Sequence, residues 1–505
     1  MKKKNSEEKV KGTSSKRLLL NSIIYATSGV LLKCFSFFLL PLYTAYLTTE
    51  DYGITSIATT FVNTMSFVVA FSLFSAIMRF YVDLKDDKEK LRRFYGTVSL
   101  FVIVSSVLFS GVLTLCRDTL SQYVFSGVDY YPIIMVSLIS LVFFCQQTIY
   151  ENILRSQQKA LMSSILNIIF FFITLTLNLL FVVYWKMGAI GSLLAMMFTY
   201  ISYTLFFWCN MLIKKEIIFC LDFKLLKGAL KYSIPIMPHN LSTQITLLIS
   251  KVLIGDTTSL ASLGVYSIAS QFGNVADTIQ GYVDQAYGPW LYEKLHSQEE
   301  GYKKSIRGIA KLLASVLGLF FLGISLFAQD YIVLFINKEY INAWKYVPCI
   351  VMIFAIKTIY YFFVEILFYY KKASRYLFTA TLSSSILNVI LAFVFIPILG
   401  VWGSILADGI SMILRVFIVV KISSQFGNIG LKVKDFIQNI IIVFGFISLG
   451  LILSFAKYSG SFSILNFLYK CIIVALYMLV SIYLNREYVK PAIRFFKSKF
   501  DKGGK

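Results

Sequence analysis

Histidine occurs twice and cysteine seven times in 505 residues, so little is present of what metal centres and nucleophilic sites are built from. The cysteines (Cys34, Cys116, Cys145, Cys209, Cys220, Cys349 and Cys471) are scattered through apolar segments, with no paired spacing and no neighbouring histidine. They read as small buried hydrophobes, neither disulfides nor metal ligands. Phosphate-cradling glycine loops, metal-ligand spacings and nucleophile elbows are missing too. Charged residues make up only 15% of the chain, and no polar loop exceeds roughly 25 residues, which leaves no room for a soluble catalytic domain. The expectation is a protein that is not an enzyme and needs neither cofactor nor metal.

Apolar residue types, by contrast, reach 57% and aromatics 16%. Apolar runs of about 20 residues recur along the whole length, enough to cross a hydrocarbon core of ~30 Å. The fold class expected is all-α, a polytopic membrane protein. A net charge of +22 would suggest nucleic acid in a soluble chain, but here its placement matters more than its size. The basic start, MKKKNSEEKVKGTSSKR, precedes an apolar segment too long for a signal-peptide core, and is expected to stay uncleaved and inside.

The first two spans are expected near residues 18–47 and 54–81. Further spans are expected near 95–116, 132–153, 160–184, 188–212, 229–253, 307–328, 345–370, 376–397, 400–422, 436–456 and 464–485. The stretch Leu263–Glu293 is the least apolar long segment and decides the parity: counting it gives about fourteen transmembrane helices, omitting it thirteen. With fourteen, most Lys and Arg fall in inward segments, and outward turns hold only Arg117, Lys186, Lys338, Lys345 and Lys457. That is the positive-inside pattern, and it puts both termini in the cytoplasm. Thirteen spans would invert every later loop and send the basic tail KPAIRFFKSKFDKGGK outward. That tail reads as an amphipathic segment on the inner leaflet or as a disordered one.

An internal repeat supports the same count. GITSIATTFVN at 53–63 matches GVYSIASQFGN at 264–274 in six of eleven positions, an offset of 211. Nearly the same offset relates Ser22-Ile23 to Ser233-Ile234, Leu177-Asn178 to Leu387-Asn388, and GSLLA at 191–195 to GSILA at 403–407. The expected organisation is a basic cytoplasmic tail (1–17), an N-terminal six-helix lobe (18–228), a C-terminal six-helix lobe (229–424), helices 13 and 14 (425–485) and a second basic tail (486–505). Six spans per lobe is even, so the repeats are parallel.

Charges inside spans are costly, about 2.5–3.5 kcal/mol at a helix centre, so they seldom face lipid away from span ends. Lys33, Arg79, Lys251, Lys357, Arg415 and Lys470 are the bases and Asp277, Asp284, Glu365 and Asp408 the acids. Arg79, Lys251, Arg415 and Lys470 are close enough to span ends to snorkel, or line a water-filled cavity. Asp408 and Arg415 are seven apart on one face and could bridge each other or a neighbour. Lys33 and Lys357 sit deeper with no charged neighbour at i±3 or i±4. Asp277 and Asp284 occupy a polar stripe with Gln271, Asn274, Tyr282 and Gln285, two helical turns apart. Either they exchange protons with a gradient, as a transporter's coupling groups do, or they pair with cavity lysines. His239 follows Pro235 and Pro238 in a helix expected to bend.

Taken together, LLNSIIYATSGVLLKCFSFFLLPLYTAYLTTEDYG, GVYSIASQFGN and DQAYGPWLYE resemble bacterial polysaccharide-biosynthesis flippases. These are the O-antigen and capsule repeat-unit (Wzx-type) members of the multidrug/oligosaccharidyl-lipid/polysaccharide exporter superfamily. The resemblance covers about residues 18–424. It implies two six-helix bundles around a V-shaped cavity, alternating access, and a bacterial inner-membrane location. The implied substrate is an undecaprenyl-diphosphate-linked oligosaccharide, moved from the inner to the outer leaflet. Lys33, Lys357, Arg79, Lys251 and Arg415 are then the cations available to the diphosphate. Gln271, Asn274, Tyr282 and Gln285 supply amides and an aromatic face for sugar, and Asp277, Asp284, Glu365 and Asp408 are the candidates for proton or sodium coupling. Membrane lipids and polysaccharide assembly enzymes are the implied partners, with no role for nucleic acid. Many relatives carry an acidic-basic pair at the end of helix 7, where this chain has Ser250-Lys251. A drug or peptide exporter of the same fold is the runner-up, but it would favour acidic cavity residues. A membrane polysaccharide polymerase would need a larger outer loop.

Overall fold

The computed structural model describes Ile24, residues 27–370 and residues 375–488, and among these it is helical with no strand. The basic tails at 1–17 and 489–505, the repeat pair at Ser22-Ile23 and the turn 371–374 lie outside the described residues. Two compact units are present, Met1–Gly264 and Val265–Lys505.

The first unit contains α1 (Thr27–Tyr46), α2 (Thr49–Val69), α3 (Leu73–Leu84), α4 (Lys88–Leu115), α5 (Met135–Ser156), α6 (Ala160–Asn178), α7 (Gly188–Ile213), α8 (Phe223–Ser233) and α9 (Met237–Thr257). α10 (Leu260–Ser297) begins in it and runs on into the second unit, which continues with α11 (Tyr302–Phe335), α12 (Ala343–Tyr369), α13 (Arg375–Leu399), α14 (Val401–Ser423), α15 (Val433–Ala456) and α16 (Ile464–Leu484). Ten described helices are long and apolar enough to cross a membrane, and α2 with α3, bent by 49°, makes an eleventh. The expected fourteen exceed this by α9, α10 and α14. Those three carry Lys251, Asp277 with Asp284, and Asp408 with Arg415.

Local chemistry explains where the helices start. The TTED segment forms a capping box: Asp51 N–H donates to Thr48 Oγ1 at 3.1 Å, and Asp51 Oδ2 accepts from Thr48 N–H at 3.1 Å. Each bond satisfies a donor that the first turn would leave orphaned. The other oxygen, Oδ1, accepts from Ala189 N–H at 2.9 Å, so one carboxylate fastens the starts of α2 and α7 together. Gly188 precedes it at φ +60, where a side chain would run into that carboxylate. At the opposite end of the unit, Asp87 caps α4 and accepts from Lys90 N–H at 3.1 Å. The Lys90 ammonium beside it, 2.8 Å away, holds the Asp87 carboxyl below the usual range.

The core of the first unit is aromatic. Tyr150 stacks on Phe207 with centroids 4.6 Å apart, and Phe94, Tyr95 and Tyr203 are fully buried around them. Cys145 is buried there as expected, but Cys34, Cys116, Cys209 and Cys349 are exposed. Those four occupy exposed positions outside the packed core. The expected bent helix over 229–253 is instead two helices. Pro235 lies in the break after Ser233 and Pro238 in the first turn of α9, where a missing N–H costs nothing.

Within the first unit α2 crosses the first turn of α10 through two glycines. A Cβ on Gly53 would strike the Leu260 carbonyl oxygen and lie 3.3 Å from Gly264 N; a Cβ on Gly264 would strike the Thr49 oxygen and lie 3.3 Å from Gly53 N. These are the glycines related by the 211-residue offset, and the carbonyls they face are related by it as well. Both obstacles are backbone, so neither can swing aside. Gly53→Ala and Gly264→Ala are each expected to destabilise the protein by about 2–3 kcal/mol, as overpacking does. Thermal unfolding in detergent measures this. Gly281→Ala is the control, since nothing lies within 4 Å of a Cβ there.

Candidate functional site

The ionisable groups inside helices are not evenly paired, and each unit handles them differently. In the first unit Lys251 on α9 reaches across to α2, where its Nζ donates to Ser56 Oγ at 2.8 Å and Thr60 Oγ1 at 2.7 Å. Those hydroxyls are one helical turn apart, so they lie on one face. Lys251 therefore does not snorkel. It is half-buried with hydroxyl partners and no ion pair among the described residues. Lys33 on α1 is exposed and makes neither hydrogen bond nor ion pair among the described residues. Arg79 on α3 is exposed and bound to Asp83 at 3.1 Å, a pairing that i,i+4 spacing allows.

In the second unit the charges converge on one helix pair. Asp277 on α10 and Lys357 on α12 form an ion pair, with Nζ 2.7 Å from Oδ1. Tyr361, one turn beyond Lys357, donates its hydroxyl to the same oxygen at 3.4 Å, and the ammonium lies 5.1 Å from the Tyr361 ring centroid and 5.4 Å from that of Phe354. The cation is thus held between a carboxylate and two aromatic faces. Its side chain keeps 17% of its surface exposed and that of Asp277 keeps 38%, so the pair remains accessible.

Above and below it the same stripe of α10 continues. Gly273 packs on Ile350 and Phe354, and Gln280 donates to Thr358 Oγ1 at 2.7 Å and the Phe354 carbonyl at 3.2 Å. Gly288 leaves room for the Glu365 carboxylate, which accepts from the Tyr292 hydroxyl. Asp284 is half-buried and its Oδ1 has no hydrogen-bond partner among the described residues. The stripe 273, 277, 280, 284, 288 follows helical spacing, which is why one face of α10 carries all of it.

The sugar-type residues expected on the same face occupy the neighbouring one. Asn274 and Gln285 are exposed, Gln271 and Tyr282 half-buried, and Gly281 between them opens on empty space. Asn274 Nδ2 donates to Gln271 Oε1 at 3.3 Å. Periodicity merged two stripes that α12 separates.

On α14, Asp408 accepts from Asn388 Nδ2 at 2.6 Å and Arg415 Nε donates to Ser384 Oγ at 2.8 Å. They do not bridge each other, because each finds an uncharged partner on α13. Lys470 is not a snorkelling residue. It is fully buried against Asp330 at 2.7 Å and Gln329 Oε1 at 2.8 Å, both on α11. Asp330 escaped the sequence reading because it falls two residues past the expected span end. Tyr292 and Gln280 escaped it because their partners lie 73 and 78 residues away. No group of three His, Cys, Asp or Glu among the described residues could hold a metal ion.

A chain this apolar, with paired charges and open amide-bearing stripes, has the build of a membrane transporter. Residues 18–294, more than half of the chain, match the family model described as polysaccharide biosynthesis protein. The chain belongs to that family. No curated protein matches it. Among solved structures, this polysaccharide biosynthesis family member resembles the lipid II flippase MurJ in an inward closed conformation. The TM-score is 0.62 at 16% identity, covering 94% of this chain and 99% of that one. An inward-facing multidrug resistance MATE family transporter of the MOP superfamily gives 0.60 at 14% identity, covering 80% of this chain and 98% of the other. An outward-facing one gives 0.54 at 14%, covering 81% and 94%. At these identities the likeness establishes the fold, a polytopic all-helical membrane architecture of the MurJ and MATE kind.

Proposed function

We propose that the protein is a flippase that carries undecaprenyl-diphosphate-linked oligosaccharide repeat units from the inner to the outer leaflet of the bacterial cell membrane, by alternating access. The family match carries this reading. In support, Lys357 is a half-buried, aromatic-flanked cation whose ion-pair partner Asp277 is still accessible, and Lys251 is a cation whose partners among the described residues are hydroxyls. Such groups suit a diphosphate, since charge-assisted hydrogen bonds to phosphate are about twice as strong as neutral ones. Gln271, Asn274, Tyr282 and Gln285 suit sugar hydroxyls. The acids Asp277, Asp284, Glu365 and Asp408 are the proposed coupling groups for protons or sodium. The proposed topology has fourteen spans, with α9, α10 and α14 among them, both termini in the cytoplasm, and parallel six-helix repeats over 18–228 and 229–424.

Cells lacking the protein should accumulate a lipid-linked oligosaccharide on the cytoplasmic face, identifiable by mass spectrometry. That same compound should be flipped in vesicles containing the purified protein. Asp284→Asn is expected to slow flipping several-fold and to flatten its dependence on an imposed pH or sodium gradient. Vesicles that export cationic drugs but leave the lipid-linked sugar unmoved would favour an exporter instead.

A further inference from the structure

A cavity of about 50 Å³ with a mixed polar and apolar lining lies in the second unit, between Lys311, Ala314 and Ser315 of α11, the first turns of α15 and the last turns of α16. Its wall is built by hydrogen bonds: Tyr477 donates its hydroxyl to the Ser315 carbonyl at 3.0 Å, Asn439 Nδ2 to the Ala314 carbonyl at 2.8 Å, and Asn485 Nδ2 to Ser315 Oγ at 2.9 Å. Asn485 lines the cavity, is only 4% exposed, and its Oδ1 has no partner among the described residues. An acceptor in that position needs a donor that the described residues do not supply.

Lys311 also lines the cavity, and among the described residues it has no ion pair. The neighbouring cation is committed, since Arg307 grips Asp435 through Nε at 2.6 Å and Nη2 at 2.9 Å. Lys303, Lys304, Lys432, Lys434 and Arg486 stand around the same helix ends and make no ion pair among the described residues. Tyr488 closes over Gly308, and its ring centroid is 5.8 Å from Lys311 Nζ.

We propose that this cavity is a binding site for the headgroup of an anionic phospholipid bearing free hydroxyls, distinct from the substrate site. The phosphate sits on Lys311, and a headgroup hydroxyl enters beside Asn485, whose side chain turns its buried Oδ1 to accept from it. The size fits one or two hydroxyl groups, a water's share of liquid being about 30 Å³, and admits no acyl chain. The surplus of cations at this membrane face excludes a zwitterionic headgroup as the preferred ligand.

The test is lipid binding to the full-length protein in nanodiscs, read by native mass spectrometry and thermal unfolding. Phosphatidylglycerol should bind roughly tenfold more tightly than phosphatidylcholine, and Lys311→Ala should remove most of that preference while Lys311→Arg keeps it. Asn485→Leu should retain binding to the anionic lipid but lose discrimination between phosphatidylglycerol and phosphatidate, which lacks headgroup hydroxyls. Equal binding of phosphatidylcholine, or an unchanged preference in Lys311→Ala, would overturn the proposal. Full competition by soluble glycerol 3-phosphate would overturn the lipid as its source.

Discussion

Lys357→Ala is expected to cut surface polysaccharide to a small fraction, lowering flipping roughly 10- to 150-fold, with the protein still present in the membrane at near-normal abundance. The magnitude follows from losing a charged hydrogen-bond donor, about 1.5–3 kcal/mol, together with the site's local neutrality. The ion pair with Asp277 makes a second variant necessary. If Lys357 served only to neutralise Asp277, then Lys357→Ala/Asp277→Asn would flip as fast as Asp277→Asn alone, since no carboxylate is left to neutralise. If the ammonium engages the diphosphate, the double variant stays inactive, while Lys357→Arg retains part of the activity because a guanidinium also pairs with phosphate. Complementation of a deletion strain, with membrane levels measured by immunoblot, reads all four. Activity in the double variant would remove Lys357 from the substrate site.

The second large effect concerns stability. Lys470 and Asp330 keep 0% and 6% of their side-chain surface exposed, and their pair is one part of a knot. Gln329 Oε1 also accepts from Asn466 Nδ2 at 3.2 Å, Asn466 reaches Ser454 Oγ at 3.1 Å, and Gln329 Nε2 donates to the Tyr458 carbonyl. α11, α15 and α16 are joined in this way. Breaking a buried pair by removing one partner costs about 3–5 kcal/mol, because the other charge stays behind uncompensated. Lys470→Met is therefore expected to lower the melting temperature sharply and reduce membrane abundance. Replacing both, as Asp330→Leu/Lys470→Met, should recover most of the loss, since two apolar side chains of similar volume leave no charge to bury. A double variant no better than the single one would mean that the knot holds by geometry and not by charge.

Much of the helical layout was readable from apolar runs, because crossing lipid forces each span to satisfy its own backbone. The weakly apolar stretch from Leu263 was readable as a helix from its repeat partner at Gly53. What could not be read was partner choice. Asp277 and Lys357 are 80 residues apart, and nothing in the local spacing of either tells that they meet. The same holds for Glu365 with Tyr292 and for Lys470 with Asp330. Local rules also misjudged the prolines at 235 and 238, where a broken helix costs less than a bent one. Periodicity placed Asp277 with Gln271 and Asn274 because a polar stripe looks continuous until a neighbouring helix divides it.

The glycine crossing has one more implication. Gly53 faces Leu260 and Gly264 faces Thr49, and each residue of one half of the contact is the 211-residue counterpart of a residue in the other. Such a contact is isologous, the kind made when two copies of one surface meet about a two-fold axis. A single ancestral segment ending in glycine would have fitted a copy of itself there before any duplication joined the two. A harmful substitution in that ancestor would have struck both sides at once, whereas in the present chain each glycine is held in place by the other.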